Sequence, residues 1–210
     1  MHSAGEPVVS IGLHASEGAT LKGEGPFPPE PFEEAFRVAT SAGLVSTPHA
    51  GEFLGPASCR GAVEQLDAVR LLHGVRAVDD SATLELLAKR KVCCDVCPTS
   101  NVLLGVVPNL QKHPLKRLIE ADVPCTINVD DSLPFGKSIV EEFSAARETL
   151  GLSDDHLLAC ARNSIFYSGV LVRSRRGILD PAVEKLEKHL KALDEWGVKG
   201  QSRKRKHSDA

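Results

Sequence analysis

The sequence predicts an α/β fold built on a parallel sheet, and three observations carry that expectation. Short apolar runs recur along the chain without the alternation of a half-exposed strand, the pattern of strands covered on both faces. The segments between them place apolar residues at helical spacing. The links are short, so strand and helix alternate and right-handed βαβ units follow.

Taken in order, the strand runs are residues 8–13 (VVSIGL), 44–47 (LVST), 69–72 (VRLL), 92–96 (VCCDV) and 123–129 (VPCTINV). The first helix is signalled by Phe32, Ala35, Phe36 and Ala39, at i, i+3, i+4 and i+7. A proline-rich entry precedes it and Gly43 stops it. Cys59, Ala62, Val63 and Leu66 repeat that spacing after Pro56. Leu84, Leu87 and Ala88 signal the next helix, and Leu115, Leu118 and Ile119 the one after it. Beyond the last strand run, residues 138–150, 154–161 and 181–196 read as helical, the last with Val183, Leu186, Leu190 and Leu193 as its apolar stripe. Residues 1–196 are expected to form one unit, with 197–210 a basic, disordered tail.

Composition narrows the function classes. Apolar content of 42% and charged content of 25% in 210 residues suit an ordinary globular protein. Aromatic content of 4% argues against a ladder of rings stacked on bases, and a net charge of −3 gives no basic face for nucleic acid or membrane. No apolar run approaches the roughly 20 residues that span a bilayer. The opening MHSAGEPVV lacks the pattern of a secretion signal. Six cysteines without such a signal point to reduced thiols and a cytoplasmic location. The C-x-x-C spacing of Cys94 and Cys97 is read as strand-core thiols. The cluster Arg203, Lys204, Arg205, Lys206 is read as a solvated tail, with nuclear import as the alternative.

Chemistry in parallel α/β folds gathers at the C-terminal ends of the strands. Those ends carry His49 and Glu52, then His73, then Cys97 to Asn101, then Asn128, Asp130 and Asp131. Each signal alone has a plainer structural reading, since an Asp pair commonly caps a helix. Their recurrence at successive strand ends points to one site. Imidazole nitrogen with carboxylate oxygen suits a borderline divalent metal such as zinc.

The stretches HAGE, HGVRAVDD, CPTSNVLLGV and INVDDS resemble, in this order and spacing, the zinc-dependent adenosine deaminase family, over about residues 8 to 196. The resemblance implies a partial (β/α)8 TIM-type barrel, with about five of eight strands present and extra C-terminal helices. It implies zinc (Zn2+) as cofactor, with His49 and Asp130 as metal ligands. Glu52 is then the acid that protonates the purine nitrogen beside the reacting carbon, and His73 the imidazole that orients and deprotonates the attacking zinc-bound water. Asp131 corresponds to the residue that binds the far ring nitrogen, Gly51 allows close approach to the base, and Ala15 supplies a backbone contact. The chemistry is coherent, because zinc lowers the pKa of a bound water to roughly 7. Attack on an amidine carbon also calls for a neutral acid at the neighbouring nitrogen.

The form CPTSN resembles the adenosine branch, whereas adenine deaminases tend to CPLSN, so adenosine or a related purine nucleoside is expected and adenine is the alternative. The family's His-x-His pair is not found in this sequence. The expectation is therefore weak zinc binding and poor turnover by this chain alone, which reads as a truncated gene product, a degenerate copy, or a piece that assembles with a chain or segment supplying the rest of the barrel. An inactive purine-binding or scaffold remnant is the non-enzymatic alternative. His14 falls where the family has no ligand, and His113, His156, His189 and His207 are expected at the surface.

Overall fold

The structure is a computed structural model that describes residues 8–14, 17, 29–177 and 182–208. Its strands are β1 (Ser10–Ile11), β2 (Val45–Ser46), β3 (His49–Ala50), β4 (Arg70–His73), β5 (Cys93–Val96) and β6 (Cys125–Ile127). Every pairing is parallel, β1 with β2 and then β3-β4-β5-β6 in sequence order. The run expected as a strand over 44–47 holds β2 alone, and a further short strand, β3, follows it beyond Thr47 and Pro48. Proline has no N–H for a ladder. The arc stays continuous all the same. Thr47 N–H donates to the Ile11 carbonyl at 2.9 Å and His49 N–H to that of Leu13 at 3.1 Å, while Leu72 N–H reaches the Pro48 carbonyl at 3.0 Å. The parallel α/β arc expected from the sequence is therefore the architecture found.

Helices α1 (Glu33–Ser41), α2 (Pro56–Gln65), α3 (Ser81–Arg90), α4 (Pro98–Leu103) and α5 (Leu115–Glu120) connect the strands. Beyond β6 come α6 (Ser132–Phe135), α7 (Ile139–Glu148), α8 (Asp154–Phe166), α9 (Gly169–Arg175) and α10 (Val183–Ser208). Local chemistry sets their ends. Asp80 caps α3 by accepting from Thr83 N–H, and Lys91 closes it in the left-handed region at φ 54°. Ser138 and Glu141 form a reciprocal capping box on α7. The backbone of α10 carries helix through 197–208, where the composition leads one to expect an irregular tail. Its Lys, Arg and Gln residues favour helix.

All of β5 and β6 is buried, as a parallel sheet covered on both faces requires. Leu71 and Val96 from the strands meet Leu87, Leu115 and Leu118 from the helices, each fully buried. Each such side chain contributes about 1.5–3 kcal/mol through the area it removes from water. All six cysteines are free and buried; of the C-x-x-C pair Cys94 belongs to this core, whereas Cys97 sits just past β5 at the edge of a cleft. Across the arc, Arg70 pairs with buried Asp95 through two contacts of 2.9 and 2.6 Å, and Thr126 donates to the same carboxylate at 2.7 Å. Among the described residues no helix is long and apolar enough to cross a membrane.

Candidate active site

The strand ends bring the expected residues to one rim, under visible backbone constraint. β4 ends at His73, held at φ 72°, and Asp130 follows β6 at φ 65°. Left-handed backbone at a non-glycine residue costs on the order of 1–3 kcal/mol and persists where the surroundings enforce it. The other described non-glycine residues at positive φ, Asp67, Lys91 and Asp122, lie just past helix ends, where such turns are routine. After β3 the chain turns through Gly51 at φ 67°, where a Cβ would run into the Cys59 sulfur. That turn admits only glycine, and it aims Glu52 inward, 6% exposed.

At the rim, His73 Nε2 lies 3.6 Å from Glu52 Oε2 and 4.0 Å from Asp130 Oδ2. The His49 ring is 5.2 Å from that of His73, and His14 packs edge-on against His49 at 4.8 Å. Ser100 Oγ donates to Asp130 Oδ2 at 2.6 Å. Two clefts meet at His14, His49, His73 and Asp130. The outer, of about 370 Å³, adds Glu52 and Asp131; the inner, of about 490 Å³, adds Cys97 and Asp95. A larger hollow of about 530 Å³ between α7, α8 and α10 is lined mostly by apolar groups such as Phe143, Leu157 and Trp196, away from this rim.

Electrostatics separate the groups. Burial, reinforced by the Asp130 and Glu17 charges, pushes Glu52 from the ordinary carboxylate value of 4.5 up to about 7. Burial pushes His73 and His49 down, against the pull of Asp130. Burial also raises the Cys97 thiol well out of the reactive range. The loop that carries Glu52 is held by a residue the sequence did not announce. The buried Glu17 carboxylate accepts from the N–H groups of Gly51 (2.7 Å), Glu52 (2.6 Å), Phe53 (2.9 Å) and Leu54 (3.3 Å), and from Ser58 Oγ. From the other side, Arg76 Nε donates to the Glu52 carbonyl at 3.0 Å.

A divalent metal fits the donor set. The Leu13 carbonyl lies 3.0 Å from His49 Nδ1, so that nitrogen carries the proton and Nε2 is left unprotonated, the form in which imidazole binds metal. Asp130 offers a carboxylate oriented by Ser100. The ligating atoms of His73, Cys97 and Asp130 also lie within 4.8 Å of one another. Ala15, expected to contact the base, lies outside the described residues. His113, expected at the surface, is buried at 5% exposed, because it belongs to a side-chain network behind the rim. Sequence reasoning also passed over Ser100 and Asn101 as working residues, although both stand inside the CPTSN stretch.

An arc of parallel strands with imidazoles and carboxylates gathered at its C-terminal edge is the architecture of part of a (β/α) barrel with a polar site at its rim. The chain belongs to the adenosine deaminase family, whose profile, described as "Adenosine deaminase", matches residues 2–185. It is 42% identical over 167 residues to a putative adenosine/adenine deaminase of Streptomyces coelicolor, covering 80% of this chain and 46% of that protein. The crystal structure of an adenine deaminase from Arthrobacter aurescens superposes with a TM-score of 0.73 at 29% identity, over 90% of this chain and 53% of that one. An amidohydrolase from Burkholderia ambifaria, solved with bound Zn, superposes with a TM-score of 0.66 at 26% identity, over 87% of this chain and 50% of that one. The chain thus spans about half the length of the curated relatives it matches. That agrees with the partial barrel expected from the sequence.

Proposed function

We propose that this chain carries the proton-donating and base-reading part of a zinc-dependent purine deaminase site, which hydrolyses the exocyclic C–N bond of a 6-aminopurine and releases ammonia. The observation that carries this reading is Glu52: a buried carboxyl held to about 7, 3.6 Å from His73 and on the same cleft as Asp130. Near neutral pH a large share of this carboxyl is protonated, so it can donate to the ring nitrogen next to the reacting carbon as electron density builds there. Asp131 faces the same outer cleft and reads the far side of the ring. Gly51 makes the tight turn that aims Glu52 at the base, since any Cβ there would strike the Cys59 sulfur. His73 turns Nε2 into this space and positions the attacking water. His49 and Asp130 would hold the metal, which when bound supplies the Lewis acidity that makes water a nucleophile near neutral pH.

Adenine and adenosine stand level as substrates. The CPTSN form favours the nucleoside, while relatives at 42% and 40% identity are described as an adenosine/adenine deaminase and an adenine deaminase. Two protein ligands bind zinc weakly, so the isolated chain is expected to turn over slowly and to gain from a partner that supplies further ligands. Six buried free thiols favour a cytoplasmic setting. The test is purified chain with added zinc, followed for ammonia release and purine absorbance with adenine and adenosine in parallel. Zinc-dependent turnover of either, abolished in Glu52→Gln, supports the reading. Purine binding without turnover would establish the scaffold alternative, and neither binding nor turnover would sink both.

A further inference from the structure

Behind the rim runs a buried chain of hydrogen bonds that the proposed reaction leaves unexplained. Leu115 N–H donates to His113 Nδ1 at 3.1 Å, His113 Nε2 lies 3.1 Å from Asn101 Oδ1, and Asn101 Nδ2 lies 3.3 Å from His73 Nδ1. His113, Asn101 and His73 are 5%, 0% and 2% exposed, so solvent cannot stand in for a missing partner. A backbone N–H only donates, which fixes the polarity at one end. His113 Nδ1 must therefore present a lone pair. Burial pushes this ring down to about 4, so at neutral pH it is uncharged and carries its one proton on Nε2. That donor needs an acceptor, which is the Asn101 carbonyl oxygen. The Asn101 amide N–H then faces His73 Nδ1, which must accept. The proton of neutral His73 is thereby placed on Nε2, the nitrogen that faces Glu52 and Asp130.

We propose that Asn101 and His113 are positioning residues that hold His73 as its Nε2–H tautomer, so that this ring meets the site as a hydrogen-bond donor while its neighbour His49 meets it as an acceptor. The two imidazoles, with centroids 5.2 Å apart, are sorted by their outer partners: a carbonyl behind His49 and an amide N–H behind His73. One consequence concerns the metal. Although the ligating atoms of His73, Cys97 and Asp130 crowd within 4.8 Å, Nε2–H offers no lone pair, and the cation is left to His49 and Asp130. The other concerns the water. A donor at Nε2 orients it, whereas acceptance of its proton at Nε2 requires Asn101 and His113 to reverse, stranding Leu115 N–H against another N–H. The tautomer stands on the hydrogen bonds alone; its use in turnover rests on the deaminase reading.

The test is long-range proton–nitrogen correlation NMR of the 15N-labelled full chain, metal-free at neutral pH, with ring signals assigned by single His→Gln variants. The expected spectrum shows His73 and His113 protonated on Nε2 and His49 on Nδ1. Asn101→Asp replaces the amide by a carboxylate that accepts from both rings, and should move the His73 proton to Nδ1. His113→Phe removes the anchor of the chain and should leave His73 as a mixture of tautomers. His73 protonated on Nδ1, or on both nitrogens, in the native chain overturns the proposal whether or not either variant folds. An unchanged His73 spectrum in a folded Asn101→Asp protein overturns it equally. The expected spectrum without deamination would remove the functional reading and leave the tautomer assignment standing.

Discussion

Replacing Glu52 by glutamine should change how stability responds to pH, by an amount the structure sets. The carboxyl rises from 4.5 to about 7 because it is buried near the Asp130 and Glu17 charges. The unfolded chain ionises this group near 4.5 while the folded chain keeps it protonated, so folding binds a proton between those values. The contribution is therefore whole below pH 4.5 and is lost as pH rises through about 7. At about 1.4 kcal/mol per pH unit, the full loss is about 3 kcal/mol, of which about 2–3 kcal/mol falls between pH 5 and pH 8. Glutamine has the same shape and no titration. The assay is urea unfolding of both proteins at pH 5 and pH 8, with a chelator present so that no cation complicates the site. The native chain should lose stability relative to Glu52→Gln between these values, and the variant should be the more stable at pH 8. Parallel pH dependences would refute the burial argument, and with it the claim that Glu52 is a neutral acid in the folded protein.

Other expected outcomes follow from the same structure. On the acid side, His113 is held to about 4, so stability is present above about 6.5 and falls as pH drops toward 4. His113→Gln should flatten that limb by about 3 kcal/mol in the same unfolding assay. Glu17→Ala strands four backbone N–H groups of the Gly51–Leu54 loop. It should cost at least about 2 kcal/mol and speed amide exchange in that loop. Gly51→Ala forces a side chain into left-handed backbone and against Cys59, and should cost about 2–4 kcal/mol by thermal unfolding. Ser100→Ala leaves Asp130 without its orienting hydroxyl and should weaken zinc binding by about 10-fold or more in calorimetry, with little change in fold.

Much of this site was legible in the sequence, for reasons that can be named. Helices reveal themselves by a spacing of three to four residues and buried strands by short unbroken apolar runs, so the alternation and the strand ends could be located without a structure. His49, Glu52, His73, Asp130 and Asp131 follow those ends, and the structure puts all of them on the two clefts that meet at the rim. Less legible was β3, a further two-residue strand beyond Pro48, where the chain passes its hydrogen bonds from one neighbour to the next. His113 looked like a helix-surface residue because nothing within a few positions shows that its ring turns inward onto Asn101.

The sequence by itself determined the kinds of groups available and the order in which the strand ends present them, because secondary structure and motif spacing are short-range properties. Tertiary structure alone decided their chemical states. Glu52 becomes an acid near neutrality through burial, reinforced by charges brought from Asp130 and Glu17, 78 and 35 residues away along the chain. His73 takes its polarity from a backbone N–H at Leu115 through two intervening side chains. Desolvation and hydrogen-bond direction depend on what surrounds a group in space, and no window of sequence contains that.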